Sequence, residues 1–483
     1  MMIPPTVFEP NLQSLGFGYR APGWFRDAKF GIYAHWGVYS LAGQQEWYPR
    51  NMYIPGHAAN LYHIERFGHP STFGYKDMVP LWRAEHFDPD AMLDIVKRAG
   101  ARYFCTCAVH HDNFDLWNSR HHKWNAVNMG PKKDLVGLFR NATSRAGLRW
   151  GVTTHLARSD HWFQTNKNSD DGGAYDGNDP AYWDFYFPPL DPARGNQSSK
   201  AHQDHWKARL IDLIDNYGPD LLYFDGAVPF TGEDNFQTGL DVLAHYYNRS
   251  IERHGELDSV LFIKNTSDWH GPFAGGLFIE TIATLDSEHR SLPDIRYQPW
   301  QCDFPVLQDA CWSYNPSAEL YSVTEILSLM TDVVSKNGCF LLNIPPKPDG
   351  TLEQRVIDLL AEIGRWMDVN GDAIYDTRPF CPVACGETRF TTKGNVLNII
   401  IRQWPAGGRA VIEPIQTAAP LKVEKVALLG ASATLATGGS ELTFRQDGGT
   451  LTIDLPAQEP EALTAPYILQ AHCDQPTQPS WIK

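Results

Sequence analysis

The sequence predicts an α/β fold, a (β/α)8-like barrel over residues 1–372 followed by a C-terminal antiparallel β-sandwich over 373–483. Three observations carry this. Between residues 30 and 346 short apolar runs alternate with longer amphipathic segments, the pattern of strands joined by helices in a parallel sheet. Eight such runs can be counted, the number that closes a barrel. From about residue 376 the runs shorten and are divided by Gly, Pro and Asp turns, as in NVLNIIIRQW, KVEKVALLG and LTIDLP, which reads as antiparallel sheet.

The expected barrel strands are KFGIYAHWG from Lys29, YFCTCAVHH from Tyr103, RWGVTTHL from Arg149, DLLYFDG from Asp220, SVLFIKN from Ser259, GLFIETI from Gly276, YQPWQCDFP from Tyr297 and CFLLNIPP from Cys339. The sixth and seventh are the least regular. In the helical segment DPDAMLDIVKRAG, Asp88 or Asp90 can cap the start, Met92, Ile95, Val96 and Ala99 fall at helical spacing, and Gly100 ends it. HWKARLIDLIDNYG presents Leu210, Ile211, Ile214 and Tyr217 on one face and stops at Gly218. ELYSVTEILSLMTDVVSKNG repeats the arrangement before the eighth run. A doubly wound sheet is disfavoured, because the Gly-rich phosphate turn of that fold is absent.

Composition narrows the function. With 41 Lys and Arg against 56 Asp and Glu the formal net charge is −15, a surface that repels a phosphate backbone, so no nucleic-acid partner is expected. No run approaches the roughly 20 apolar residues of a membrane-spanning helix, and the N-terminus has neither a basic region nor an apolar segment. The expectation is no membrane partner and a cytoplasmic protein, or an exported one whose signal sequence is absent from this chain. The eight Cys form no paired C-x-x-C ligand set, which favours free thiols.

In a barrel of this type the site is built at the C-terminal ends of the strands. The first run ends in His35-Trp36, the second in His110-His111-Asp112, the third in His155 and the fourth in Asp225-Gly226. A metal would want three or four ligands, and adjacent His110 and His111 point to opposite sides of an extended strand, so neither a metal nor another cofactor is expected. A sugar uses the same residues differently. Imidazoles and carboxylates exchange hydrogen bonds with hydroxyls, while Trp36, Trp47 and Trp312 offer faces to the apolar side of a pyranose. Asp225 is the sharpest single residue, a carboxylate arriving where an apolar strand leaves the core.

The segment WFRDAKFGIYAHWGVYSLAGQQEWY, the block AGARYFCTCAVHHDNFDLWNS, the strand LLYFDG and the stretch VVSKNGCFLLNIPPKPDGTL together resemble the retaining α-L-fucosidases of glycoside hydrolase family 29. The resemblance implies a glycoside hydrolase acting on a fucosylated oligosaccharide or glycoconjugate. It implies Asp225 as nucleophile, His35, His110 and His111 as contacts of the sugar hydroxyls, and Glu46 and Trp47 at the pocket's border. Trp312 and Tyr314 match the family's aromatic segment after the seventh strand. His155 and Tyr223 stand where the family usually has other aromatic residues, so they too are expected at the pocket.

The motif that usually carries the general acid/base Glu falls on PWQCD, which puts Gln301 in its place. An amide has no proton to give at neutral pH. Asp303 and Glu280 are the alternative acids. Other readings are an engineered acid/base variant of an active fucosidase, or a non-catalytic carbohydrate-binding protein on the same barrel.

Overall fold

The computed structural model describes residues 7–195, 197–226, 232–264, 279–413, 421–430, 439–447, 449–459 and 463–477. Eight parallel strands, β1 (Phe30–Ala34), β2 (Tyr103–Val109), β3 (Arg149–Thr154), β4 (Leu221–Phe224), β5 (Val260–Lys264), β6 (Thr284–Asp286), β7 (Trp300–Pro305) and β8 (Gly338–Ile344), close into a barrel in the order β1-β8-β7-β6-β5-β4-β3-β2. Apart from half-exposed Arg149, every residue of these strands is buried, which is why they read as continuous apolar runs.

The sixth expected strand is displaced. Its first residues, 276–278, lie outside the described residues, and 279–283 form a turn. The chain extends only at Thr284–Asp286, where Phe262, Ile263 and Lys264 of β5 supply the partners. Ile282 is apolar because it is buried in the core. The seventh strand likewise starts at Trp300, three residues after the exposed Tyr297.

The helices around the barrel include α1 (Pro89–Arg98), α2 (Leu135–Ala146), α3 (Lys200–Tyr217), α4 (Gln237–His254), α5 (Val323–Ser335) and α6 (Gln354–Asn370). Asp88 caps α1 by accepting from the Ala91 amide, and Ser322 with Glu325 forms a reciprocal capping box on α5. The connection from β6 to β7, residues 287–299, carries no helix. Inside the barrel Tyr33, Tyr103, Leu221, Tyr223, Phe262 and Leu341 pack together. Gly31 makes room for Tyr103, since a Cβ there would fall 2.3 Å from the ring.

Beyond α6, strands β9 (Arg378–Cys385), β10 (Thr388–Lys393), β11 (Val396–Ile401), β12 (Arg409–Ile412), β13 (Val423–Leu429), β14 (Gly439–Glu441), β15 (Phe444–Asp447), β16 (Thr450–Asp454) and β17 (Tyr467–Cys473) form two antiparallel sheets. Their orders are β9-β10-β11-β17-β13-β14 and β12-β16-β15. Between them lies a separate core of Phe390, Leu397, Ile399, Leu451 and Leu469. Arg389 pairs with Asp332 of α5, and the Trp366 indole of α6 donates to the Pro466 carbonyl at 2.9 Å, so the sandwich is fastened to the barrel. All eight cysteines are free.

Candidate active site

A cavity of about 240 Å³ opens at the C-terminal ends of the strands. Strands β1 to β5 and β7 deliver side chains to it from their ends or the residues just beyond, and Glu288 comes from the connection after β6. His35 follows β1, with its amide donating to the Ile344 carbonyl at 3.2 Å and to Asn343 Oδ1 at 3.1 Å, which fixes where the imidazole enters. His110 and His111 both reach the cavity, with ring centres 4.7 Å apart. They lie past the last residue of β2, so the alternation that would have sent them to opposite faces no longer applies, and the expectation built on it fails.

Asp225 ends β4 and is held by four groups. Its Oδ2 lies 2.9 Å from Arg158 Nη2, 3.0 Å from His155 Nδ1 and 3.1 Å from His111 Nε2, while Oδ1 lies 2.5 Å from Lys264 Nζ at the end of β5. Burial alone would raise its pKa, but Lys264, Arg158 and the two imidazoles outweigh burial and hold the carboxyl well below the usual range. The carboxylate is therefore ionised and aimed at the cavity. Gly226 follows at φ +134°, a conformation other residues rarely adopt, and lets the chain turn away.

Lys264 also reaches Glu288 Oε2 at 3.0 Å. Because Asp225 and Glu288 both touch one nitrogen, their nearest oxygens are at most about 5.5 Å apart, closer than the roughly 6.5 to 9.5 Å of single-displacement glycosidases. Burial and the two carboxylates act in opposite directions on Lys264, and the carboxylates prevail, raising its pKa above the ordinary value.

His35, His110 and His111 are kept neutral. Burial, then neighbouring His155, lowers His35 and His110 well below the ordinary imidazole value, and burial with Arg158 brings His111 down to about 3. The Nδ1 atoms of His35 and His110 are buried with no hydrogen-bond partner, as expected of groups awaiting a sugar hydroxyl. Glu46 Oε2 accepts from the backbone amides of Trp312 and Ser313 at 3.1 and 3.2 Å, and burial raises its pKa to about 7. Trp47 and Trp312 supply indole faces on the cavity wall.

Two groups of side chains could gather a metal by distance, His35 with His110 and His155, and His111 with His155 and Asp225, each with ligand atoms within 4.8 Å of one another. The second already has the Arg158 and Lys264 cations on its carboxylate, which repel a dication.

Of the residues singled out in the sequence, His35, Glu46, Trp47, His110, His111, His155, Tyr223, Asp225, Asp303 and Trp312 come together at the cavity. Three do not. Trp36 turns outward from the barrel, donating to the Lys347 carbonyl at 2.8 Å and packing on Trp82 and Phe87, because it stands on the opposite face from His35. Glu280 precedes β6, pairs with Arg296 and lines a different cavity beside Tyr19 and Tyr297. Gln301 is fully buried inside the barrel. Its Nε2 donates to Asp286 Oδ2 at 2.8 Å, and its Oε1 lies 3.4 Å from the Tyr103 hydroxyl.

Sequence reading passed over Tyr33, Arg158, Lys264 and Glu288. Tyr33 was available by alternation two residues before His35, and Lys264 as the cation ending the fifth apolar run. Arg158 and Glu288 sit in connections and leave no periodic signal.

An eight-stranded barrel whose mouth holds two closely spaced carboxylates among imidazoles and indoles defines the site of a glycoside hydrolase. The family model described as alpha-L-fucosidase matches residues 2–372, and the chain belongs to that family. It is 28% identical to the tissue alpha-L-fucosidase of Bos taurus over 473 residues, covering 96% of this chain and 90% of that one. It is 26% identical over 409 residues to the alpha-L-fucosidase of Dictyostelium discoideum, covering 82% and 81%. Among solved structures, the Thermotoga maritima alpha-fucosidase in complex with fucose superposes with a TM-score of 0.73 at 28% identity, over 96% of this chain and 100% of that chain.

Proposed function

We propose that the protein removes a terminal α-L-fucosyl residue, or that of a closely related sugar, from an oligosaccharide or glycoconjugate by two displacements, with Asp225 as nucleophile and Glu288 as acid and then base. Asp225 attacks the anomeric carbon as the glycosidic bond breaks, and the leaving oxygen takes the bonding pair and a proton from Glu288. Water then gives a proton to Glu288 and displaces Asp225, releasing the sugar with its configuration retained. The neutral histidines and Glu46 bind hydroxyls, and Arg158 orients the nucleophile.

The observation that carries this reading is the Lys264 ammonium touching both carboxylates, which sets an upper limit on their spacing. The test is Asp225→Ala with nitrophenyl α-L-fucoside. Turnover should fall by about 10³-fold or more with the fold intact, azide should restore cleavage, and the wild type should release the α-anomer first by proton NMR. Near-wild-type rates in Asp225→Ala would overturn the assignment.

A further inference from the structure

A 6-deoxy sugar presents a methyl group, which asks for an apolar wall. Among the described residues, the cavity lining contains no Ala, Val, Leu, Ile, Met or Phe; its apolar surface is aromatic. Its floor is polar. Asp303, on β7, lines the cavity while being only 1% exposed, and its Oδ2 accepts from the Tyr223 hydroxyl at 3.0 Å and the Tyr33 hydroxyl at 3.4 Å. Below it, Asp286 Oδ1 accepts from the same Tyr223 hydroxyl at 3.1 Å and its Oδ2 from Gln301. Burial, then the neighbouring Asp303, pushes the Asp286 carboxyl well above its ordinary value. Asp303 Oδ1 is buried and meets no hydrogen-bond partner among the described residues.

A buried carboxylate is costly to keep, and one with an oxygen left unmatched at a sugar pocket calls for a hydroxyl from the ligand. His35, His110, His111 and Glu46 already provide for the ring hydroxyls of a galacto-configured sugar. The 6-deoxy sugar has nothing further to offer the floor. Its 6-hydroxylated counterpart, L-galactose, has one primary hydroxyl more on a rotatable arm.

We propose that this site hydrolyses α-L-galactosides, with Asp303 accepting a hydrogen bond from the 6-hydroxyl and serving as the specificity determinant between the 6-hydroxy and 6-deoxy sugars. The inference rests on the double-displacement reading of the site, and the chemical steps are the same: one water is consumed and the sugar is released. Sites built to hydrogen-bond a substrate hydroxyl discriminate strongly against analogues lacking it, whereas an apolar pocket barely rejects the added hydroxyl.

The experiment compares kcat/KM for nitrophenyl α-L-galactoside and nitrophenyl α-L-fucoside in the wild type, Asp303→Val and Asp303→Asn. The galactoside should be at worst tenfold poorer than the fucoside in the wild type. Asp303→Val, which removes the acceptor and presents methyl groups, should lower the galactoside-to-fucoside ratio at least 30-fold. Asp303→Asn, which keeps the shape, should lower it about tenfold and stands in if the Val variant fails to fold. Wild-type cleavage of the fucoside with the galactoside more than tenfold poorer would overturn the inference and leave the fucoside reading intact. Cleavage of neither sugar would overturn both, and a ratio unmoved in the folded variants would remove Asp303 from the argument.

Discussion

Lys264 Nζ stands 3.0 Å from Glu288 Oε2, so the carboxylate proposed as acid and base is tied to the barrel through a side chain from the neighbouring strand. On the proposed mechanism Glu288→Gln should slow cleavage of a fucosyl disaccharide by about 10² to 10⁴. A nitrophenyl fucoside, whose leaving group needs no proton, should lose far less in bond cleavage. Pre-steady-state product bursts separate the two steps, and equal losses for both substrates would remove Glu288 from the role.

Lys264→Met should move the acidic limb of the kcat/KM profile. Lys264 is the strongest of the interactions that keep Asp225 ionised against the effect of burial. Without it the pKa of the nucleophile rises, the carboxyl takes up its proton at a higher pH as the medium is acidified, and activity is lost sooner. The limb should shift upward. An unchanged limb would mean that Arg158 and the imidazoles suffice.

Affinity for L-fucose as a competitive ligand should show no step from His35, His110 or His111 between pH 5 and 8, because all three are held neutral there. A step near pH 7 is expected from Glu46, whose carboxyl burial raises to about 7, and Glu46→Gln should abolish it. Removal of the step by His35→Ala would contradict this. The histidines still matter for binding, and His35→Ala or His110→Ala should each weaken the sugar by about 1 to 3 kcal/mol by leaving a hydroxyl unpaired.

Arg209 of α3 pairs with Asp115, both essentially inaccessible, and donates to Asn113 Oδ1 at 2.6 Å. This pins the loop that follows His110 and His111. Arg209→Ala would strand a buried carboxylate and should destabilise the protein by about 3 to 5 kcal/mol in urea unfolding. A loss below 1 kcal/mol would show that the loop holds itself.

The first five strands and the eighth were legible because burial on both faces makes them continuous apolar runs. The sixth was not, since Thr284–Asp286 is three residues long and contains a carboxylate, while the more apolar segment just before it ends in a turn. Strand alternation explains the pocket residues that were found and also one that was misplaced: His35 and Tyr33 face inward, and Trp36 must then face the helices. Gln301 occupies the position where the resemblance expects a catalytic glutamate, yet its amide is spent on Asp286 inside the barrel. The carboxylate nearest Asp225 through Lys264 comes instead from Glu288, which belongs to no periodic pattern.

That placement anchors the two carboxylates to different strands. Asp225 is welded to a strand end, and moving it by a single residue would carry it out of reach of Lys264, Arg158 and both imidazoles at once. Glu288 stands two residues past β6, but the amides on either side of it, Ser287 and His289, donate to the Gln301 and Asp303 carbonyls of β7 at 2.8 and 3.0 Å, so its position is fixed by the neighbouring strand. On the proposed roles, a slip of β7 by one residue would carry Glu288 away from Lys264 while Asp225 stayed in place, so the distance between the two carboxylates is set by strand register rather than by a loop.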